Sequence, residues 1–169
     1  MRPTQTLKLF IPLIAAALLL SGCGFKLRGA LELPEDIRSV QVMAPPELRN
    51  DILTLLESGG VSVSPSGSGA DARITVTSER FSRRVLSVDP TTGKEREFEL
   101  AYTLDFGVTD RGGQAVIENG KVNLLRDYVF DPQAVIGAGR EEELLRDEMR
   151  RDAARQLMRR VEAALKRQG

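Results

Sequence analysis

The sequence contains no histidine, no tryptophan and a single cysteine in 169 residues. Without histidine there is no Ser-His-Asp triad, no Cys-His pair and no His-Cys zinc cluster, and one cysteine cannot form an intrachain disulfide. An excess of either charge is also missing, because 24 basic side chains balance 24 acidic ones. That balance argues against a nucleic-acid partner, which calls for a strong basic excess. No apolar run is long enough to span a bilayer as a helix. What remains is ordinary: 41% hydrophobic and 28% charged residues suit one globular domain with a real core.

The charge balance is uneven at the start of the chain. Arg2 and Lys8 occur without any acid, and Leu9 to Leu20 (LFIPLIAAALLL) is apolar throughout. Basic residues, a short apolar stretch and then small residues form the layout of a secretory signal. Leu20-Ser21-Gly22-Cys23 resembles the bacterial lipobox, in which a leucine and two small residues precede a lipidated cysteine. Residues 1–22 are therefore expected to be a signal peptide and 23–169 a single domain anchored at Cys23. Loss of Arg2 and Lys8 leaves 22 basic against 24 acidic side chains in that domain. Three acyl chains at about 0.8 kcal/mol per buried methylene make the anchor effectively permanent. By analogy with lipoprotein sorting, the absence of Asp at Gly24 implies passage to the outer membrane.

Periodicity then sets out the domain. Ser39 to Met43 alternates as a short strand. Pro45-Pro46 ends it, and Pro46 opens a helix whose apolar residues Leu48, Ile52, Leu55 and Leu56 share one face, stopped by Gly59-Gly60. Ser62 to Asp71 (SVSPSGSGAD) reads as a connector. Three strands follow, Ala72 to about Leu86, Phe98 to Val108, and Ala115 to about Phe130. In the middle one Phe98, Leu100, Tyr102, Leu104, Phe106 and Val108 lie on one face, with Glu97, Glu99, Thr103, Asp105 and Thr109 on the other. The first switches from even apolar positions (Ile74, Val76) to odd ones (Phe81, Val85), which predicts a bulge near Ser78 to Arg80. Asp89 to Lys94 and Asp110 to Gly113 form the turns. A final helix is predicted over Arg140 to Lys166, with Leu145, Met149, Ala153, Leu157, Val161 and Leu165 recurring every fourth residue. Glu141 to Glu143 would lie in its first turn, where negative charge complements the helix dipole. The expected fold is α+β: two helices packed on one face of a four-stranded, mainly antiparallel sheet, in the order β-α-β-β-β-α.

Chemistry is hard to find in this pattern. No acid or base stands isolated in an apolar setting that would tune it for catalysis. Glu141, Glu142 and Glu143 point about 100° apart on a helix and cannot converge on one metal ion. Gly137-Ala138-Gly139 lacks the Gly-Lys-Ser/Thr continuation of a phosphate loop and reads as a flexible lead into the helix. Arg83-Arg84, Arg150-Arg151 and Arg159-Arg160 read as solvated faces or ion-pair partners. Neither an enzyme, a cofactor nor a metal is indicated.

The segment after the lipobox is more distinctive. In Cys23-Gly24-Phe25-Lys26-Leu27-Arg28-Gly29 an extended backbone places Phe25 and Leu27 on one side and Lys26 and Arg28 on the other, suited to lying against protein or a lipid interface. A lipobox running into this motif resembles the LPS-assembly lipoprotein family LptE, whose members typically read Cys-Gly-(aromatic)-x-Leu-Arg here. The likeness continues through the first strand and helix, the three-stranded meander, Asp131-Pro132-Gln133, and Asp147-Glu148-Met149 ahead of Ala153-Ala154. The resemblance implies a plug seated in the lumen of the outer-membrane β-barrel LptD, assisting that barrel's assembly and binding lipopolysaccharide on its way to the surface, with no chemical step. Phe25, Leu27 and Arg28 are then the anchor-proximal, partner-facing candidates. Lipopolysaccharide is anionic and phosphorylated, so its site needs Lys or Arg beside apolar surface. Lys94 and Arg96 at the hairpin tip and Arg140 at the start of the last helix are the expected positions. The alternative from a different class is a generic outer-membrane lipoprotein acting as periplasmic adaptor or envelope scaffold.

Overall fold

A computed structural model describes residues 31–65, 69–130 and 135–167, with side chains of the last stretch described from Arg140. The signal segment, Cys23, Phe25, Leu27 and Arg28 lie outside the described residues. The alternation that predicts the middle strand organises the structure. That strand, β4 (Glu95–Asp110), buries Phe98, Leu100, Tyr102, Leu104, Phe106 and Val108, while the residues between them stay half-buried. At about 1.5–3 kcal/mol for each large apolar side chain removed from water, this face is a major source of stability. β3 (Ala72–Val88) and β5 (Ala115–Val129) pair antiparallel on either side of it.

β1 (Ser39–Met43) lies parallel to β3, in a register that sets Val42 opposite Ile74. With a further strand β2 (Ser62–Val63), the sheet has five strands, ordered β2-β1-β3-β4-β5, rather than the expected four. The additional strand is parallel to β1 inside the segment that reads as a connector. Two residues carry no period, and the Gly, Ser and Pro around them signal turns, so only pairing with β1 reveals it. The parity switch in β3 has the predicted cause. Its register shift falls between Val76 and Ser78, at the edge of the expected span, and carries the core-facing positions from even to odd numbers.

α1 (Pro46–Ser58) has Pro46 in its first turn and buries Leu48, Ile52 and Leu56. At its end the left-handed residue is Gly60, with φ 74°. Gly59 keeps a negative φ and serves another purpose, since a Cβ there would sit 2.8 Å from the Leu31 carbonyl oxygen. α2 (Val135–Leu165) begins five residues before the expected Arg140. Gly137 to Gly139 therefore lie within helix rather than leading into it, because each residue added to a formed helix brings one more hydrogen bond. It follows that Glu141 to Glu143 are not first-turn residues, and the dipole reading of them fails. Both helices cover the same sheet face, and their buried residues join those of β1, β3, β4 and β5 in one cluster.

The helices are also tied to each other through charge. Arg150 of α2, 12% exposed, reaches Asp51 at 2.8 Å, Asp147 at 2.8 Å and Glu47 at 3.0 Å. Beneath it, Tyr102 donates to Glu79, and burial together with that acceptor pushes the phenol well above its usual range. Arg150 fulfils the expectation of an ion-pair partner.

Candidate functional site

The two ends of the sheet differ in character. At the end nearest α1 and the C-terminus of α2, Asp71 binds the backbone N–H groups of Arg38 and Ser39 at 3.0 and 2.9 Å and the Ser39 hydroxyl at 3.1 Å. Arg111 of the β4–β5 turn also donates to it. Burial alone would raise the Asp71 carboxyl, but the donors from Ser39 and Arg38, with Arg111 beside them, hold it below the usual carboxylate range. A cavity of about 360 Å³ opens here, lined by Asp36, Ile37, Asp71, Asp110 and Arg111 among others. Asp71 uses its capacity in joining β1 to β3, so this end is explained as architecture.

The opposite end, at the β3–β4 hairpin tip, is less self-satisfied. Asp89 organises the turn, its Oδ1 accepting from the N–H groups of Thr92 and Thr91 at 2.8 and 2.9 Å. Those bonds, Thr92 first, hold its carboxyl below the ordinary range. Arg96 lies 4.0 Å from Asp89 and is 55% exposed. The Lys94 side chain is exposed and has no ion pair among the described residues. The end of β5 closes onto the same place, with the Phe130 N–H donating to the Arg96 carbonyl at 2.7 Å.

α2 brings its N-terminal portion to this end. Glu142 accepts from Arg83 at 3.0 Å and from the Tyr128 hydroxyl at 2.8 Å, which places the exposed Arg140 beside the ends of β3 and β5. Arg140, remote in sequence from Lys94 and Arg96, thus belongs to the portion of α2 that lies toward the hairpin end of the sheet. Apolar surface accompanies them, since Val85, Leu86, Val88 and Val129, near the ends of β3 and β5, are exposed. Among the described residues Met43 and Leu125 are also exposed, Leu125 opposite Ala101 in the middle of the sheet.

The uncovered sheet face is largely polar, with Leu125 and Val129 among its exposed apolar residues, and several of its charges are paired. Arg84 meets Glu99 at 2.9 Å and Lys121 meets Asp105 at 3.1 Å, each pair opposite in register, and Ser87 donates to Glu97 at 2.9 Å. Sequence reading placed Glu97, Glu99, Thr103 and Asp105 on this face, and they occupy it. Arg83 fulfils the expectation of an ion-pair partner, but that it and Arg126 point from the covered face toward α2 was not expected. The signal was available for Arg83, whose odd number beyond the bulge puts it in phase with Phe81 and Val85. Among the described residues no group of acids suits a metal ion, and no helix is long and apolar enough to cross a membrane.

The LptE family model, described as lipopolysaccharide-assembly, matches residues 37–161. The chain belongs to the LptE family. That match takes in every strand and both helices as far as Val161, and so rests on the folded core rather than on the Cys23 motif. Two LptE relatives, each named LPS-assembly lipoprotein LptE, come from Photorhabdus laumondii and Pectobacterium atrosepticum. Each is 27% identical, over 86% of this chain and 80% of its own length. Among solved structures, lipoprotein B from Nitrosomonas europaea is 28% identical with a TM-score of 0.69, over 83% of this chain and 91% of its own. The rare lipoprotein B from Shewanella oneidensis is 29% identical with a TM-score of 0.63, over 76% and 98%. The α+β architecture of these lipoproteins is therefore the LptE architecture found here.

Proposed function

We propose that this LptE-family chain is an outer-membrane lipoprotein, anchored through acylated Cys23 after removal of residues 1–22. In this reading it acts with a large β-barrel of the LptD type to assemble lipopolysaccharide at the cell surface. It plugs the barrel, assists the barrel's assembly and contacts the glycolipid, and no bond of the glycolipid is made or broken. The observation that carries the reading is the exposure of Lys94, Arg96 and Arg140, and of Val85, Leu86, Val88 and Val129, toward one end of the sheet. Phosphates require cations and acyl chains require apolar surface, and both are supplied together. The uncovered sheet face supports the plug, because it is largely polar and pairs Arg84 with Glu99 and Lys121 with Asp105, a surface suited to a wet, polar lumen.

Affinity purification of the full chain from membranes in mild detergent tests the assignment. A large β-barrel in equimolar yield is the expected result, whereas periplasmic or peptidoglycan-bound partners alone would point to an envelope scaffold and sink it. Reversal of Lys94 and Arg96 to Glu should weaken binding of purified lipopolysaccharide on the order of tenfold. Both side chains are exposed, so the melting temperature should stay within about 2 °C of the parent. Unaltered binding would remove the hairpin tip from the site. Cys23→Ala should release the protein from the membrane fraction, and retention after mild washing would contradict the anchor.

A further inference from the structure

Attachment of α2 changes character at Met149. From there onward the helix buries Met149, Leu157, Met158, Val161 and Leu165 against the sheet and α1. Between Arg140 and Glu148 no residue is buried, and Leu145 is the one apolar side chain packed against the core. Charge holds this segment down. Glu142 takes Arg83 and Tyr128, Glu148 takes Arg126 at 2.6 Å, and the Arg146 guanidinium lies 4.0 Å from the Phe81 ring centroid. Partly exposed ion pairs of this kind contribute little each, and a segment without buried apolar contacts opens locally at low cost.

What the segment covers is apolar and aromatic. Phe98 stacks on Tyr128 at 5.4 Å and meets Phe130 edge-on at 5.9 Å. Arg83 and Arg126 flank this floor in the row centred on Leu100, one on each neighbouring strand, roughly 10 Å apart by strand spacing. The Arg83 guanidinium and the Tyr128 hydroxyl both donate to the same Glu142 oxygen, Oε2. An anionic oxygen held by a guanidinium and a phenol is a position that a phosphate oxygen fills equally well.

We infer that residues 140–148 of α2 are a releasable strap over the Phe98–Tyr128–Phe130 floor. Glu142 and Glu148 occupy the cations Arg83 and Arg126 until the phosphates of an acylated, phosphorylated glycolipid replace them. The inference rests on the glycolipid reading above and adds a second binding surface to the exposed hairpin tip. Opening without ligand leaves Arg83 unpaired above the Phe98 ring and Arg126 with only Asp152, at 3.6 Å, from the part of α2 that stays seated. Opening with ligand exchanges carboxylate for phosphate and lays acyl chain on the rings. Only the second is favourable, so ligand and strap release are coupled.

The test uses the full chain in detergent with two probes, a fluorescent acylated disaccharide bearing two phosphates and the same molecule without phosphates. Glu142→Gln keeps an acceptor for Tyr128 but removes the competing charge. It should bind the phosphorylated probe about two- to fivefold tighter than the parent, and the dephosphorylated probe no more tightly. Hydrogen exchange at residues 140–148 should accelerate in the same variant, while residues 150–164 stay unchanged. Tighter binding restricted to the phosphorylated probe together with that local acceleration supports the strap. If the parent protein binds the phosphorylated probe but Glu142→Gln binds it equally or less tightly, the strap is overturned and the glycolipid reading stands. If the parent binds neither probe, both fall.

Discussion

Leu104→Asp is expected to leave the domain largely unfolded, at a cost of more than about 4 kcal/mol. Leu104 is fully buried at the centre of β4, between Glu79 of β3 and Val122 of β5 in register, and beneath the helices. A carboxylate placed there loses its water and finds no cation, and the domain's total stability is of order 5–15 kcal/mol. Thermal melting followed by circular dichroism should show a midpoint lowered by about 10 °C or more. Thr103→Asp, one residue away on the uncovered face, should change stability by no more than about 0.5 kcal/mol. Equal effects at the two positions would show that β4 does not divide the sheet into a covered and an uncovered side.

Gly120→Ala is the less obvious disruption. A methyl group in place of the hydrogen usually steadies a strand by a few tenths of a kcal/mol or more, because glycine loses the most entropy on folding. Here the sign is reversed. Gly120 faces Phe106 across β4 and β5, and a Cβ would lie 2.5 Å from the ring's Cζ and 2.7 Å from both Cε atoms. Phe106 is 2% exposed, so the ring has no open space into which to move. Overpacking of this kind costs about 1–3 kcal/mol, visible as a fall of about 3–10 °C in the melting midpoint. Combining it with Phe106→Leu should recover part of that loss, since the two changes share one volume. Additive losses would show that the ring is not what the methyl group meets.

The elements legible from sequence were those whose own periodicity carries their burial. Phe98 to Val108 alternates so regularly that the strand, its covered face and its polar face all follow from spacing, and the structure agrees residue by residue. The Pro46 helix has the same virtue. Where the signal depends on a distant partner, the reading falls short. Ser62–Val63 is a strand only because β1 lies beside it, and Gly137 to Gly139 are helical because helix already exists beyond them. Glu142 illustrates the same limit at the candidate site. Its position suggested a service to the helix dipole, yet its carboxylate is taken by Arg83 and Tyr128 from two different strands.

By itself the sequence determined the α+β class, the phase of the central strand, the absence of histidine chemistry and the expectation of a lipid anchor. These are properties of composition and of residues within a few positions of one another. Only the tertiary structure decided that the portion of α2 bearing Arg140 lies toward the hairpin end, that Arg83 and Arg126 face α2, and that α2 is seated by apolar contacts from Met149 onward and by charge before it. The physical reason is that spacing specifies which side of an element is buried. Which surface it is buried against depends on strand order and register, and those are set by packing between parts of the chain remote from each other.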